Sequence, residues 1–134
     1  MDETKDLKGR RVLVVEDETL IAMFMETLLA DLGCEVLGPV HALGPALDLV
    51  SGENDIDLAF LDVNLGGQPS FPVADALRRR GVPVVFCTGY GDAGLREVDR
   101  GAPVLRKPYR AGDLAAALSA ALPVEGEPGR ATSA

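Results

Sequence analysis

Five short apolar runs punctuate the chain, at residues 11–16, 35–40, 58–62, 83–87 and 103–106, and a polar or glycine-rich stretch follows each. Runs such as RVLVVE and PVVFC lack the in–out alternation of a half-solvated strand, and predict strands covered on both faces. Between them the apolar period lengthens. Over 18–32, Ile21, Phe24, Met25, Leu28 and Leu32 share one helical face, and Gly33 stops the helix. A short helix is expected over 44–50, with Pro45 tolerable in its first turn, and another from Pro72 to Arg80. The last, 113–122, repeats Leu114, Ala117, Leu118, Ala121 and Leu122 at helical intervals. Four glycines in 88–101 leave room only for a short helix around 93–98. Strand then helix, five times over, means an α/β protein with a parallel sheet and helices on both faces.

At 134 residues this pattern fills one domain, 10–122, between a flexible N-terminus (1–9) and a disordered tail (123–134) rich in Gly, Pro, Ser and Glu. A net charge of -8 argues against a nucleic-acid partner. The only basic run, Arg78-Arg79-Arg80, falls where a helix ends, and dipole complementarity with solvation accounts for it. No apolar stretch is long enough to span a membrane, and Met1-Asp2-Glu3 begins no signal sequence. Cys34 and Cys87 lack metal or redox spacing and read as buried thiols in a reducing cytoplasm.

The chemistry collects at strand ends, where open parallel sheets bind their ligands. The first strand ends in Glu16-Asp17, followed by Glu18; the third ends in Asp62, the fourth in Thr88 and the fifth in Lys107. An aspartate closing one strand is ordinarily a turn residue or helix cap. Four such ends on one sheet edge are another matter. Unit charges at close range in a protein-like medium repel by about 4 kcal/mol, so clustering Glu16, Asp17 and Asp62 is costly unless a cation joins them. Hard carboxylate oxygens with water favour Mg²⁺. Asp62 is then a nucleophile beside a metal, with Thr88 able to donate to one phosphoryl oxygen and Lys107 to pair with another.

Taken together, VVEDE, FLDVN, FCTG and LRKPY resemble the receiver domain of bacterial two-component response regulators, over roughly residues 10–122. The resemblance implies a flavodoxin-like (βα)5 doubly wound sheet of order 2-1-3-4-5 and a signalling protein, not an enzyme, that catalyses only its own phosphorylation and dephosphorylation. It makes Asp62 the phosphoacceptor, Thr88 the switch hydroxyl and Lys107 the phosphate-sensing cation. Glu16 (through water), Asp17, Asp62 and the Asn64 backbone carbonyl become the Mg²⁺ ligands. The donor would be a phosphohistidine on a histidine kinase or phosphotransfer protein, and output would pass to an unknown downstream protein by contact.

Departures from the family pattern shape the rest. Val104 stands where receivers commonly carry a switch aromatic, and Leu65-Gly66 replaces the usual Met-Pro. With Phe86-Cys87-Thr88-Gly89-Tyr90, these resemble a mostly stand-alone subgroup with a Phe-x-Thr-Gly-Tyr signature, in which a glycine-rich loop over 88–101 is the better candidate switch. Asn64, Gly89 and Tyr90 flank the path of a hydrolytic water: Asn64 can orient it, Gly89 leaves the phosphoryl group accessible and Tyr90 can cover it. His41, the only histidine, reads as a loop residue at the sheet edge, not a phosphohistidine. Leu20 and Met23, with Ala22 beside them, fall off the packed helix face and form a candidate kinase-docking patch.

Alternatives are a phosphate sink or adaptor, or the receiver module of a hybrid kinase; Met1 and the polar tail favour a free-standing protein. A haloacid-dehalogenase-like phosphatase would need a second aspartate two residues after the nucleophile, where Asn64 cannot shuttle a proton.

Overall fold

A computed structural model describes residues 7–52, 55–89, 95–107 and 109–122 of the chain. Its strands are β1 (Arg11–Val15), β2 (Glu35–Val40), β3 (Leu58–Asp62), β4 (Asn64–Leu65), β5 (Gln68–Pro69), β6 (Val84–Thr88) and β7 (Val104–Arg106). Its helices are α1 (Thr19–Asp31), α2 (Leu43–Gly52), α3 (Phe71–Arg79) and α4 (Ala111–Ala121). Five strands pair in parallel in the order β2-β1-β3-β6-β7, which is the expected 2-1-3-4-5 order once the small β4–β5 hairpin is set aside.

The central strands alternate between two cores, and this explains their continuous apolar runs. Leu13, Val15, Ala59, Leu61, Val84 and Phe86 face α2 and α3, where Ala46, Val50, Val73 and Leu77 cover them. Val12, Val14, Leu58, Phe60, Val85 and Cys87 face α1 and α4, under Met25, Leu29, Leu114 and Leu118. Both faces of β3 are shut off from water, so the strand emerges into solvent only beyond Asp62.

Three expectations are corrected. On α1 the buried stripe is Ala22, Met25 and Leu29; Phe24 is exposed, and Ile21, Leu28 and Leu32 are half-buried. The helix is apolar over more than one face, so spacing alone could not select the stripe that meets the sheet. Ala22 accordingly leaves the docking patch, while Leu20 and Met23 remain 80% and 56% exposed. Between β6 and β7 the described residues hold a 3-10 turn, Glu97–Asp99, instead of the helix expected around 93–98, whose first two positions lie outside the described residues. Glycines 91, 94 and 101 around it lower the worth of helix there. Finally, of the stretch 1–9 expected to be flexible, Leu7 is buried in the α1–α4 core and the Gly9 N–H donates to the Gly33 carbonyl at 2.7 Å. The tail 123–134 lies outside the described residues.

The loop after β3 has its own order. Asn64↔Pro69 and Leu65↔Gln68 pair antiparallel across Gly66 and Gly67, whose φ of 60° and 94° suit the two-residue hairpin turn that favours Gly-Gly.

Candidate functional site

Four of the five parallel strands bring polar residues, at or just past their ends, to the same edge. Glu16 and Asp17 follow β1, Asp62 ends β3, Thr88 ends β6, and Lys107 follows β7. The Lys107 N–H donates to the Thr88 carbonyl at 3.0 Å, which fixes the last two ends against each other. All of these except Glu16 line one cleft of about 530 Å³, with Asn64, Gly89 and Phe71 among its other walls.

At its centre the Lys107 ammonium lies 3.0 Å from Asp62 Oδ2, 3.0 Å from Glu18 Oε1 and 3.5 Å from Glu16 Oε2. The other Asp62 oxygen accepts the Asn64 backbone N–H at 3.2 Å. Glu16 is wholly buried: Oε2 accepts the Glu18 N–H at 3.0 Å, but Oε1 has no hydrogen-bond partner. Burial pushes its carboxyl up to about 8, and hydrogen bonding to Asp62 together with Asp62's charge adds to the rise, against the Glu18 N–H and Lys107. Lys107 moves the other way from a buried amine: despite the burial that opposes it, its bonds to Asp62 and Glu18 hold it above its ordinary range, firmly cationic.

Carboxylate oxygens from Glu16, Asp17, Glu18 and Asp62 fall within 4.8 Å of one another. One ammonium cannot neutralise four such groups, and an orphaned buried oxygen points to a missing positive partner. Hard oxygen donors of this kind fit a small divalent cation. Glu18 is not among the ligands that the family resemblance implies; its place directly after Glu16-Asp17 is the signal for it.

The hairpin closes one side. Gly66 N–H donates to Asp17 Oδ2 at 2.9 Å and Gly67 N–H to Asn64 Oδ1 at 2.7 Å, which ties the hairpin turn to both residues. Thr88 is buried at the cleft wall and Gly89 is exposed beside it; Tyr90 lies outside the described residues. His41 is exposed after the edge strand β2, and its Nδ1–H donates to the Glu16 carbonyl at 2.9 Å. Val104 is half-buried against the α2–α3 core. Both cysteines are buried free thiols, and burial pushes Cys87 up to about 12.

The arginine run contributes more than a solvated helix end. Arg78 bonds Asp75 and Asp99, and Arg80 bonds the Val50 carbonyl at the end of α2. Spacing gives no sign of Asp99, because it lies 21 residues from Arg78.

A doubly wound five-stranded sheet with an acidic pocket, a threonine and a lysine on the carboxyl edge is the arrangement of a receiver module. The chain belongs to the response regulator receiver domain family, which matches residues 12–119; its members are signalling proteins, not enzymes. It is similar to the phyllosphere-induced regulator PhyR of Methylorubrum extorquens, 33% identical over 83% of this chain and 43% of that protein. Among solved structures it resembles SdrG from Sphingomonas melonis Fr1 (TM-score 0.75, 44% identity, 84% of this chain and 95% of that one). It also resembles the Erythrobacter litoralis PhyR receiver domain (TM-score 0.78, 29% identity, 92% of this chain and 98% of that one). The chain spans 43–57% of the length of the curated relatives it matches. No described helix is long and apolar enough to cross a membrane.

Proposed function

We propose that Asp62 takes a phosphoryl group from a phosphohistidine on a histidine kinase or phosphotransfer protein. The observation that carries this reading is the convergence of Asp62, three further carboxylates and the Lys107 ammonium at one cleft. In transfer the histidine N–P bond breaks as an Asp62 Oδ–P bond forms. In hydrolysis water attacks phosphorus, the Oδ–P bond breaks, and inorganic phosphate leaves as the carboxylate is restored.

Asp17, Asp62 and the Asn64 backbone carbonyl would hold Mg²⁺, with Glu16 acting through water and Glu18 within reach. The ion supplies the positive charge that carboxylates and phosphoryl oxygens otherwise lack. Lys107, already bonded to Asp62, pairs with a phosphoryl oxygen, and the Thr88 hydroxyl donates to another. Asn64 orients the hydrolytic water through its NH2 group, Gly89 leaves the phosphoryl group open and Tyr90 shields it. Leu20 and Met23, exposed on the first turns of α1 beside Glu16-Asp17, receive the donor protein.

Signal leaves by protein contact from a cytoplasmic receiver of the Phe-x-Thr-Gly-Tyr subgroup, whose receiver domain spans residues 10–122. A phosphate-sink or adaptor role uses the same chemistry. Acetyl phosphate should label the protein only with Mg²⁺ present, and the Asp62→Asn variant not at all. Acid-stable labelling of that variant would mean that another residue is the acceptor.

A further inference from the structure

Phe71 opens α3, and Phe71, Asp75 and Arg78 follow at intervals of four and three, so they form one stripe of that helix. The stripe faces the 3-10 turn that stands between β6 and β7. Arg96, just before that turn, stacks its guanidinium 4.5 Å from the centroid of the Phe71 ring. The same guanidinium donates to Asp75 (2.8 Å to Oδ1, 3.2 Å to Oδ2) and to Asp99 (2.7 Å to Oδ2, 3.2 Å to Oδ1). Arg78 completes the ring with Asp99 at 2.5 Å and Asp75 at 3.3 Å. Phe71 also meets Phe86 edge-on, with centroids 6.5 Å apart, and it lines the phosphoryl cleft with Asp62, Thr88 and Lys107.

We infer that Arg96 is a positioning residue for the acylphosphate: it sets, through the Phe71 ring, the aromatic wall of the cleft beside Asp62. Arg96 does not line the cleft itself. A fork of five donors held by two carboxylates has little freedom to turn, and a ring stacked on such a plane inherits that constraint. Edge contact with Phe86 stops the ring from folding inward. An apolar wall held this way limits the approach of water to phosphorus, so the wall's order sets the lifetime of the phosphoryl group. Lysine cannot substitute, because one ammonium cannot bond both carboxylates in a plane and stack at once.

The inference rests on the phosphoacceptor reading of Asp62, and the test separates the two. Wild type, Arg96→Gln, Arg96→Lys, Phe71→Leu and the double variant Phe71→Leu/Arg96→Gln are labelled with radioactive acetyl phosphate and Mg²⁺, and the decay of label is followed beside each protein's melting temperature. Label should decay at least threefold faster in Arg96→Gln and Phe71→Leu, with the double variant no faster than Phe71→Leu. Arg96→Lys, which keeps the charge and is the variant surest to fold, should decay at the Arg96→Gln rate. Wild-type decay in Arg96→Lys, or multiplied effects in the double variant, would overturn the role of Arg96 even if melting temperatures fell. A wild type that takes no label would overturn the phosphoacceptor reading, and this inference with it.

Discussion

The cleft sets four carboxylates, Glu16, Asp17, Glu18 and Asp62, against the ammonium of Lys107, whereas the cage between α3 and the 3-10 turn sets Asp75 and Asp99 against Arg78 and Arg96. In the cage every carboxylate is bonded and the charges cancel within the cluster. Against the burial that would raise it, hydrogen bonds from Arg96 and Arg78 hold the Asp99 carboxyl below its ordinary range. In the cleft burial wins over the same kind of partner, and Glu16 is driven up to about 8. Charge is thus balanced within the cage and left unbalanced in the cleft, which is where the proposed cation would bind.

Removing one carboxylate from each cluster is the sharpest way to break this contrast. Asp99→Asn should lower unfolding stability by about 2 kcal/mol, since bonds from two cations to a buried acceptor are weakened or lost. Glu16→Gln should have the opposite sign in chelator, raising the urea midpoint of the metal-free protein. Losses of equal size in both variants would remove the distinction.

Exposed apolar residues beside the two clusters extend it. Leu20→Glu with Met23→Glu, next to the cleft, should slow phosphoryl transfer from the cognate kinase at least tenfold, or about 1.4 kcal/mol. Labelling by acetyl phosphate should persist. Val98→Glu, at a site that is 61% exposed in the 3-10 turn, should leave the kinase rate unchanged. Equal impairment with both donors would assign Leu20 and Met23 to the fold.

Metal should discriminate next. Mg²⁺ at ten times its dissociation constant should stabilise the protein by about 1.4 kcal/mol, read as a rise in melting temperature. Asp17→Asn should lose most of that rise and Asp99→Asn should keep it.

Titration separates the two clusters by the sign of their pH dependence. Glu16's folded pKa lies above its ordinary value, so the metal-free protein should lose stability as pH rises from 4.5 to about 8. Asp75 and Asp99 lie below theirs, Asp75 chiefly through its bonds to Arg96, so the cage should contribute evenly above pH 3.8 and fail only as pH falls through their folded values. Melting in chelator between pH 5 and 8 (a range set by the ordinary carboxylate pKa of about 4) should slope downward in wild type and flatten in Glu16→Gln. A slope surviving in that variant would place the titrating group elsewhere.

Much of the fold and of the cleft is legible in the order of residues alone. Strand runs and helix periods depend on neighbours a few residues apart, and parallel pairing then carries Asp17, Asp62, Thr88 and Lys107 to one edge whatever the details of packing. The parallel sheet and its polar strand ends thus follow from the sequence by itself, whereas the strand order was implied only by the family resemblance. Tertiary structure decided the rest. It chose Ala22, Met25 and Leu29 as the stripe of α1 that meets the sheet, because a helix apolar on several sides is committed only by the surface it lands on. It gave Glu18 its bond to Lys107, 89 residues away, and gave Arg96 both its carboxylates and its aromatic ring. Periodicity reports which side a residue faces; which partner it meets there depends on surfaces brought together only when the sheet has closed its order and the helices have docked.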